Sequence, residues 1–158
     1  LAIESVQQIV LKLRPGVLDS LGPIAAIEHA VQQFSVQSKI AISLDLLPEP
    51  LVLDTERATA LYRTVQEALT NVLRHAEARA VSVSLRRSGE ALLLQIADDG
   101  RGIDDRQLRN PRSMGILGMH ERAAACGGRL EVQRPPAGGT VVSLSIPGYD
   151  GERRAEVG

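Results

Sequence analysis

The sequence is poor in the groups on which several functions depend. Aromatic side chains make up 2% of it (Phe34, Tyr62 and Tyr149) and tryptophan is absent, which removes the stacking platforms that single-stranded nucleic acid readers rely on. The formal net charge is -1, and such a balance gives no long-range attraction to nucleic acid or acidic lipid. The expectation is therefore no nucleic acid partner and no membrane contact by this chain. A single cysteine, Cys126, cannot form an internal disulfide, and no Cys/His cluster has the spacing of a zinc site. A reducing, cytoplasmic compartment fits that usage. No apolar run approaches the roughly 20 residues that span a bilayer. The start at Leu1 carries neither an initiator methionine nor a signal-peptide pattern. The chain is expected to be a piece excised from a longer protein, with any membrane anchor or sensor upstream of it.

What is present suits one ordinary globular domain: 158 residues, 44% hydrophobic and 23% charged. Residues 2–13 place Ile3, Val6, Ile9, Val10 and Leu13 at helical spacing before Pro15-Gly16 interrupts them. A second helix is predicted from Asp19 to about Gln37, with Leu21, Ile24, Ile27, Val31 and Phe34 on its apolar face. Ile40, Ile42 and Leu44 alternate as a half-buried strand, and a short strand is expected at Leu51 to Leu53, after Pro48 and Pro50. Asp54 or Thr55 can cap a long helix to about Ala76, striped by Leu61, Val65, Ala68, Leu69, Val72 and Ala76. Val81 to Leu85 and Ala91 to Ala97 read as a hairpin across Ser88-Gly89. Residues 98–116 are rich in Gly, Asp and Arg, a composition that favours a mobile surface loop. A short helix from about Leu117 to Cys126 and a closing hairpin, Leu130 to Arg134 with Thr140 to Ile146, complete the chain before a polar tail. Helices and antiparallel strands in this order predict an α+β fold. It would be a two-layer α/β sandwich, with helices covering one face of a mixed sheet.

Three stretches have residues suited to chemistry, and each also has a plain structural reading. Glu67, Asn71 and His75 sit at i, i+4 and i+8 of the long helix, with Arg63 and Arg74 close by. Such a row suits a solvated face; a carboxylate and an amide oxygen one turn apart also suit Mg2+, which takes few protein ligands. Asp98-Asp99-Gly100-Arg101-Gly102 follows an apolar strand. It is either an ordinary strand-to-loop turn or a place where backbone approaches a planar ligand and a carboxylate accepts from an exocyclic amine. Gly115-Ile116-Leu117-Gly118-Met119 opens the last helix, where unpaired N–H groups can take phosphate oxygens. Leu117 and Met119 there equally suit the core. His29 reads as an ordinary surface or half-buried side chain.

Taken in order, Glu-x-x-x-Asn, Asp-x-Gly-x-Gly, Gly-x-x-Gly and Gly-Gly-Thr resemble the ATP site of the GHKL superfamily. Its members are gyrase, the large heat-shock chaperone, histidine kinases and mismatch-repair ATPases. The wording of Leu13-Arg14-Pro15, Tyr62 to Asn71, Arg74-His75-Ala76 and Gly118 to Ala123 is similar to nitrate-sensor-type histidine kinases. The resemblance covers about residues 13–147 and implies the Bergerat ATP-binding fold, with ATP and Mg2+ as ligand and metal. By it, Asn71 ligates Mg2+, Glu67 is catalytic near the γ-phosphate, and Arg74 and His75 approach the phosphates. Asp98 accepts from the adenine amine, and Gly100, Gly102 and Ile103 shape the adenine pocket, which Thr140 completes. Gly115, Leu117, Gly118 and Met119 flank a phosphate-binding lid at Asp104 to Met114. That lid is expected to order around nucleotide.

The family's phosphoacceptor is a histidine followed by an acidic residue on an upstream dimerisation helix, and none of His29, His75 and His120 fills that place. The resemblance thus implies residues 1–14 as a stub of the dimerisation helix, 15–148 as the ATP-binding catalytic domain and 149–158 as a polar tail. The expected activity is a protein-histidine kinase whose acceptor histidine lies on a separate dimerisation domain and whose phosphoryl group passes on to a response regulator. The piece is expected to be monomeric and the full-length protein a homodimer. Two other readings stand beside it: a GHKL serine kinase of the anti-sigma type, and a non-catalytic nucleotide-dependent interaction module.

Overall fold

The computed structural model describes residues 16–48, 50–110 and 115–148. The expected helix at residues 2–13, the polar tail from residue 149 and the end of the lid at residues 111–114 lie outside them. The elements run α1 (Gly16–Gln37), β1 (Ala41–Asp45), α2 (Thr55–Asn71) continuing into a π-helical turn (Val72–Ala76), β2 (Ala80–Ser88), β3 (Ala91–Asp98), α3 (Asp105–Arg109), α4 (Ile116–Ala125), β4 (Arg129–Gln133) and β5 (Thr140–Ile146). The five strands form one sheet in the order β1-β2-β3-β5-β4. Only the β1–β2 pair is parallel, because α2 intervenes as a crossover; the remaining pairs are antiparallel. This is the α+β two-layer sandwich expected from the order of elements.

Period-two alternation decides which face of the sheet meets the helices. Val83 pairs with Ile96 and Leu85 with Leu94, while Leu94 and Ile96 pair onward with Leu144 and Val142. Leu130 and Val132 extend these rows on β4. The intervening rows are polar, as in Ser84, Gln95 and Ser143, where Gln95 donates to the Ser143 hydroxyl at 3.2 Å. A one-residue slip would exchange the two faces, so burial fixes the register. Leu61, Leu85, Leu92, Leu94 and Leu144 are all fully buried, each contributing about 1.5–3 kcal/mol of apolar transfer.

The helices follow their caps. Asp54 accepts from the Arg57 N–H at 2.8 Å and starts α2, which buries every residue of the stripe read from the sequence. Helix α1 departs from expectation in two ways. It starts at Gly16, not near Asp19, and it is broken at Gly22, where φ is 84°. The cause is Pro23, which bars the helical conformation at the residue before it. The break also turns Leu21 away from the core, leaving it 69% exposed, while Leu18 is buried instead. The strand expected at Leu51 to Leu53 does not form. Among the described residues β1 pairs with β2 alone, and Pro48 and Pro50 cannot donate to a ladder. Leu51 is buried and Leu53 packs against the core as an apolar anchor ahead of α2.

Candidate functional site

A cleft opens between the end of α2, the β3 end, α3 and α4. Its walls are apolar side chains, including Ala68, Val72, Ile96, Ile116, Val132 and Val142. Its polar groups are few: Asn71, His75, Asp98, Gln107 and Thr140. That is the composition of a small-molecule site, in which apolar area binds and a few fixed polar atoms select.

The π-helical turn brings α2 to this cleft. Because its hydrogen bonds run i→i+5, it widens the helix where Asn71 and His75 face the opening; such bulges recur at functional sites. The chain then leaves through Glu77 in a left-handed conformation, φ 50°. The carbonyls at the helix end are satisfied by the loop after β3. Arg101 donates from its backbone N–H to Ala76 at 2.8 Å and from Nε to the His75 carbonyl at 2.5 Å. A side chain at Gly100 would overlap the Ala76 carbonyl, which is why glycine stands there. The polar row is not a solvated face: Glu67, Asn71 and His75 are half-buried and Arg63 is 7% exposed. Burial, then the Arg122 charge, pushes the Arg63 guanidinium below its ordinary pKa.

Asp98, at the end of β3, is half-buried at the floor of the cleft. Its Oδ1 accepts from the Gly100 N–H at 2.9 Å, and the Thr140 N–H also stabilises the carboxylate. Burial nevertheless outweighs these donors and raises the pKa above the usual aspartate value. The adjacent Asp99 has a different task. Its Oδ1 accepts from the N–H groups of Arg79 at 2.8 Å and Ala80 at 2.9 Å, fixing the start of β2, and these bonds hold its pKa low. Thr140 Oγ1 accepts from the Ile103 N–H at 2.8 Å, tying the glycine loop to β5. Gly139 sits with φ 78° directly over the Asp98 carbonyl, where any Cβ would overlap it. A Cβ at Gly102 would in turn lie 2.7 Å from the Gly139 carbonyl oxygen. Three stretches of backbone therefore stack behind Asp98 with no room for side chains.

The residues predicted at the other end meet at the start of α4. Gly115 is its N-cap, with φ 67°, and lies against the Glu67 carboxylate so closely that a Cβ would overlap Oε2. Arg122 reaches back over Gly118, its Nη1 3.1 Å from where a Cβ would be. Met119 is 1% exposed and lines the cleft, whereas Leu117 is 37% exposed and does not. Arg74 is exposed and also stands outside the lining. Thus Asn71, His75, Asp98, Gly102, Ile103, Met119 and Thr140 share one cavity. Glu67, Gly100, Gly115 and Gly118 are not among its lining residues.

The loop from residue 98 contains more order than its composition suggests. Residues 105–109 form α3, closed by a capping box in which Asp104 and Gln107 bond reciprocally. The signal was present as Asp-x-x-Gln, hidden among charges. Gln107 in the cleft, the π-helical turn and the anchoring task of Asp99 were also missed, whereas Gly139 was read only as part of the Gly-Gly-Thr motif. Among the described residues, no three or more His, Cys, Asp or Glu side chains form a group that could hold a metal, and no helix is long and apolar enough to cross a membrane. Cys126 is buried, its thiol donating to the Ala123 carbonyl at 3.3 Å; burial raises its pKa.

Comparison with known proteins adds to this geometry. The family model described as histidine kinase-, DNA gyrase B-, and HSP90-like ATPase matches residues 56–150. Among solved structures, the chain is similar to a blue-light activated histidine kinase of Erythrobacter litoralis EL346. The two are 25% identical with a TM-score of 0.64, covering 80% of this chain and 42% of that one. It therefore spans less than half the length of that protein. It is also similar in fold to the ATP binding domain of PrrB from Mycobacterium tuberculosis, 23% identical with a TM-score of 0.64 over 79% of this chain and 93% of that one. The Acinetobacter baumannii histidine kinase AdeS matches at 17% identity and a TM-score of 0.69, over 94% and 81% of the two chains. Since the matched segment is more than half of the chain and contains every residue lining the cleft, the protein belongs to the family of histidine kinase-, DNA gyrase B-, and HSP90-like ATPases.

Proposed function

We propose that this chain is the ATP-binding catalytic domain of a two-component sensor histidine kinase, of the nitrate-sensor-type class. It transfers the γ-phosphoryl group of ATP to a histidine on an upstream dimerisation domain, for onward transfer to a response regulator. In this reading residues 1–14 are the end of a dimerisation helix, 15–148 the catalytic domain and 149–158 a tail. The domain works in the cytoplasm, as a monomer when excised and within a homodimer in the full-length protein. The observation that carries the nucleotide reading is Asp98: one half-buried carboxylate, fixed by Gly100 and Thr140, on the floor of an apolar cleft. A fixed acceptor in low-dielectric surroundings suits the amine of adenine and opposes the oxygen that guanine carries at the same ring position. Mispairing there costs about 1–3 kcal/mol, or roughly 5 to 150-fold in affinity.

The donor set fits Mg2+, since Asn71 offers one amide oxygen in the cleft without a carboxylate cluster, and Mg2+ keeps most of its water and takes few protein ligands. Asn71 would hold the ion, which when bound would neutralise phosphate charge. Gly102 and Ile103 shape the base pocket beside Asp98 and Thr140. His75 and Arg74 stand toward the phosphates, and Gly115 to Met119 present the first turn of α4, whose N–H groups suit phosphate oxygens. Glu67, beside Gly115, serves as the base. The acceptor imidazole supplies its lone pair to the γ-phosphorus, the bond to the bridging oxygen breaks, and ADP leaves with that electron pair. Glu67 takes the proton from the imidazole's other nitrogen.

Incubation with γ-labelled ATP tests this reading. The chain alone should acquire no label, and a separately supplied dimerisation domain should acquire acid-labile label. The rate should rise with acceptor concentration, since no tether raises the local concentration. Glu67→Gln should slow transfer more than it weakens ATP binding. Acid-stable label on the partner would instead favour a serine kinase, and ATP binding without any transfer would favour a non-catalytic module.

A further inference from the structure

We propose that Gln107 contacts the nucleotide and couples it to α3, a role that rests on the ATP reading above. Helix α3 has five residues and none is buried; a helix this short is not stable by its own hydrogen bonds. Its one side chain that lines the cleft is Gln107, half-buried, where Asp105, Arg106, Leu108 and Arg109 are exposed. The capping box fixes the orientation of that side chain. The Asp104 N–H donates to Gln107 Oε1 at 3.0 Å, and the Gln107 N–H donates to Asp104 Oδ1 at 2.8 Å. Because the Asp104 N–H requires an acceptor, the carboxamide oxygen must be the atom facing it. The NH2 group is then left for the cleft, and among the described residues it donates to no protein acceptor.

The position of Gln107 indicates which part of the ligand it meets. It lies four residues after Ile103, which is fastened to Thr140, and shares the cavity with Asp98. Its closeness in the chain to Ile103 puts it on the Asp98 side of the cavity, the base-binding end of the reading above. There its two N–H donors face a ligand region that offers ring nitrogens and ribose oxygens as acceptors. Asp98 and Gln107 are complementary, one accepting and one donating. A single side chain thus closes the helix cap with its oxygen and holds the nucleoside with its nitrogen, and occupancy of the cleft fixes α3 in place.

Calorimetric titration of the whole chain with ATP and with ADP, for the wild type, Gln107→Glu and Gln107→Leu, tests the proposal. Glutamate keeps the cap acceptor and loses the donor; leucine loses both without adding charge. Both variants should bind ATP about 3 to 10-fold more weakly, with the same factor for ADP because the γ-phosphate is not involved. Hydrogen exchange at the Asp104 amide should be unchanged in Gln107→Glu without nucleotide. Wild-type affinity in both variants would overturn the proposal and leave Gln107 a capping residue. Weakening in Gln107→Glu alone would mean charge repulsion, and weakening for ATP alone would mean a γ-phosphate contact; either would also overturn it. If the wild type bound neither nucleotide, the ATP reading itself would fall, and this inference with it.

Discussion

The two ends of the cleft are built differently. At the Asp98 end, the protein's own backbone fixes the side chains of Asp98 and Thr140: Gly100 and Thr140 hold the carboxylate, Ile103 holds the Thr140 hydroxyl, and Gly139 packs on the Asp98 carbonyl. At the Glu67 end, glycines meet flexible side chains, with Gly115 against a carboxylate and Gly118 against a guanidinium, and Arg74 and Leu117 are exposed. The first end is pre-formed; the second has groups that can still rearrange. In the function proposed above, recognition and transfer would be separated along one cavity, with rigidity placed where selection is needed.

Glycine substitutions should break this contrast most visibly. Gly139→Ala forces a Cβ into the Asp98 carbonyl at a positive φ, and is expected to cost about 2–4 kcal/mol of stability by chemical denaturation. Gly115→Ala also has positive φ but strikes only the end of Glu67, so its loss should be about 1–2 kcal/mol. A Gly115→Ala loss equal to that of Gly139→Ala would mean that both ends are equally rigid. Next in size, Asp98→Ala should weaken ATP by roughly 5 to 150-fold and remove the preference over GTP, measured by calorimetry. Retained preference would move base selection away from Asp98.

Acid should separate binding from folding. Burial raises the Asp98 pKa above 3.8, so the carboxylate proposed to bind adenine is protonated as pH falls through that raised value. Protonation of Asp98 does not unfold the chain. Its raised pKa contributes stability that is fully present below 3.8 and lost as pH rises through the folded value. Asp54 and Asp99 have the opposite sign. Backbone donors, chiefly Arg57 for Asp54 and Ala80 for Asp99, lower their pKa values below 3.8. Their contribution is present above 3.8 and lost as pH falls through the lowered values. ATP affinity should therefore decline at higher pH than the fold, by calorimetry against circular dichroism; simultaneous loss would contradict the Asp98 assignment. The smallest effect belongs to Gly118→Ala inside α4. Helix propensity favours alanine by about 1 kcal/mol, and the flexible Arg122 can yield, so stability should stay level or rise slightly.

Most of the sandwich was legible in the sequence because its strands and α2 carry clean periods of two and 3.6, and those periods record burial on one face. The stripe from Leu61 to Ala76 and the rows through Leu85, Leu94 and Leu144 needed no further information. The misreadings fall where a local signal competed with a tertiary one. Leu51 to Leu53 had strand composition but no partner strand, Leu21 had helical spacing but lay ahead of the Pro23 break, and Asp104 with Gln107 formed a cap inside a stretch that read as loop. Residue types and order by themselves determined the fold class and the set of motifs, since hydrophobic period and glycine placement are properties of neighbours in the chain. The task of the second aspartate, Asp99, was decided only by tertiary structure. Asp99 follows the last residue of β3, and it is the N–H groups of Arg79 and Ala80, twenty and nineteen residues away, that engage it and leave Asp98 to the cavity.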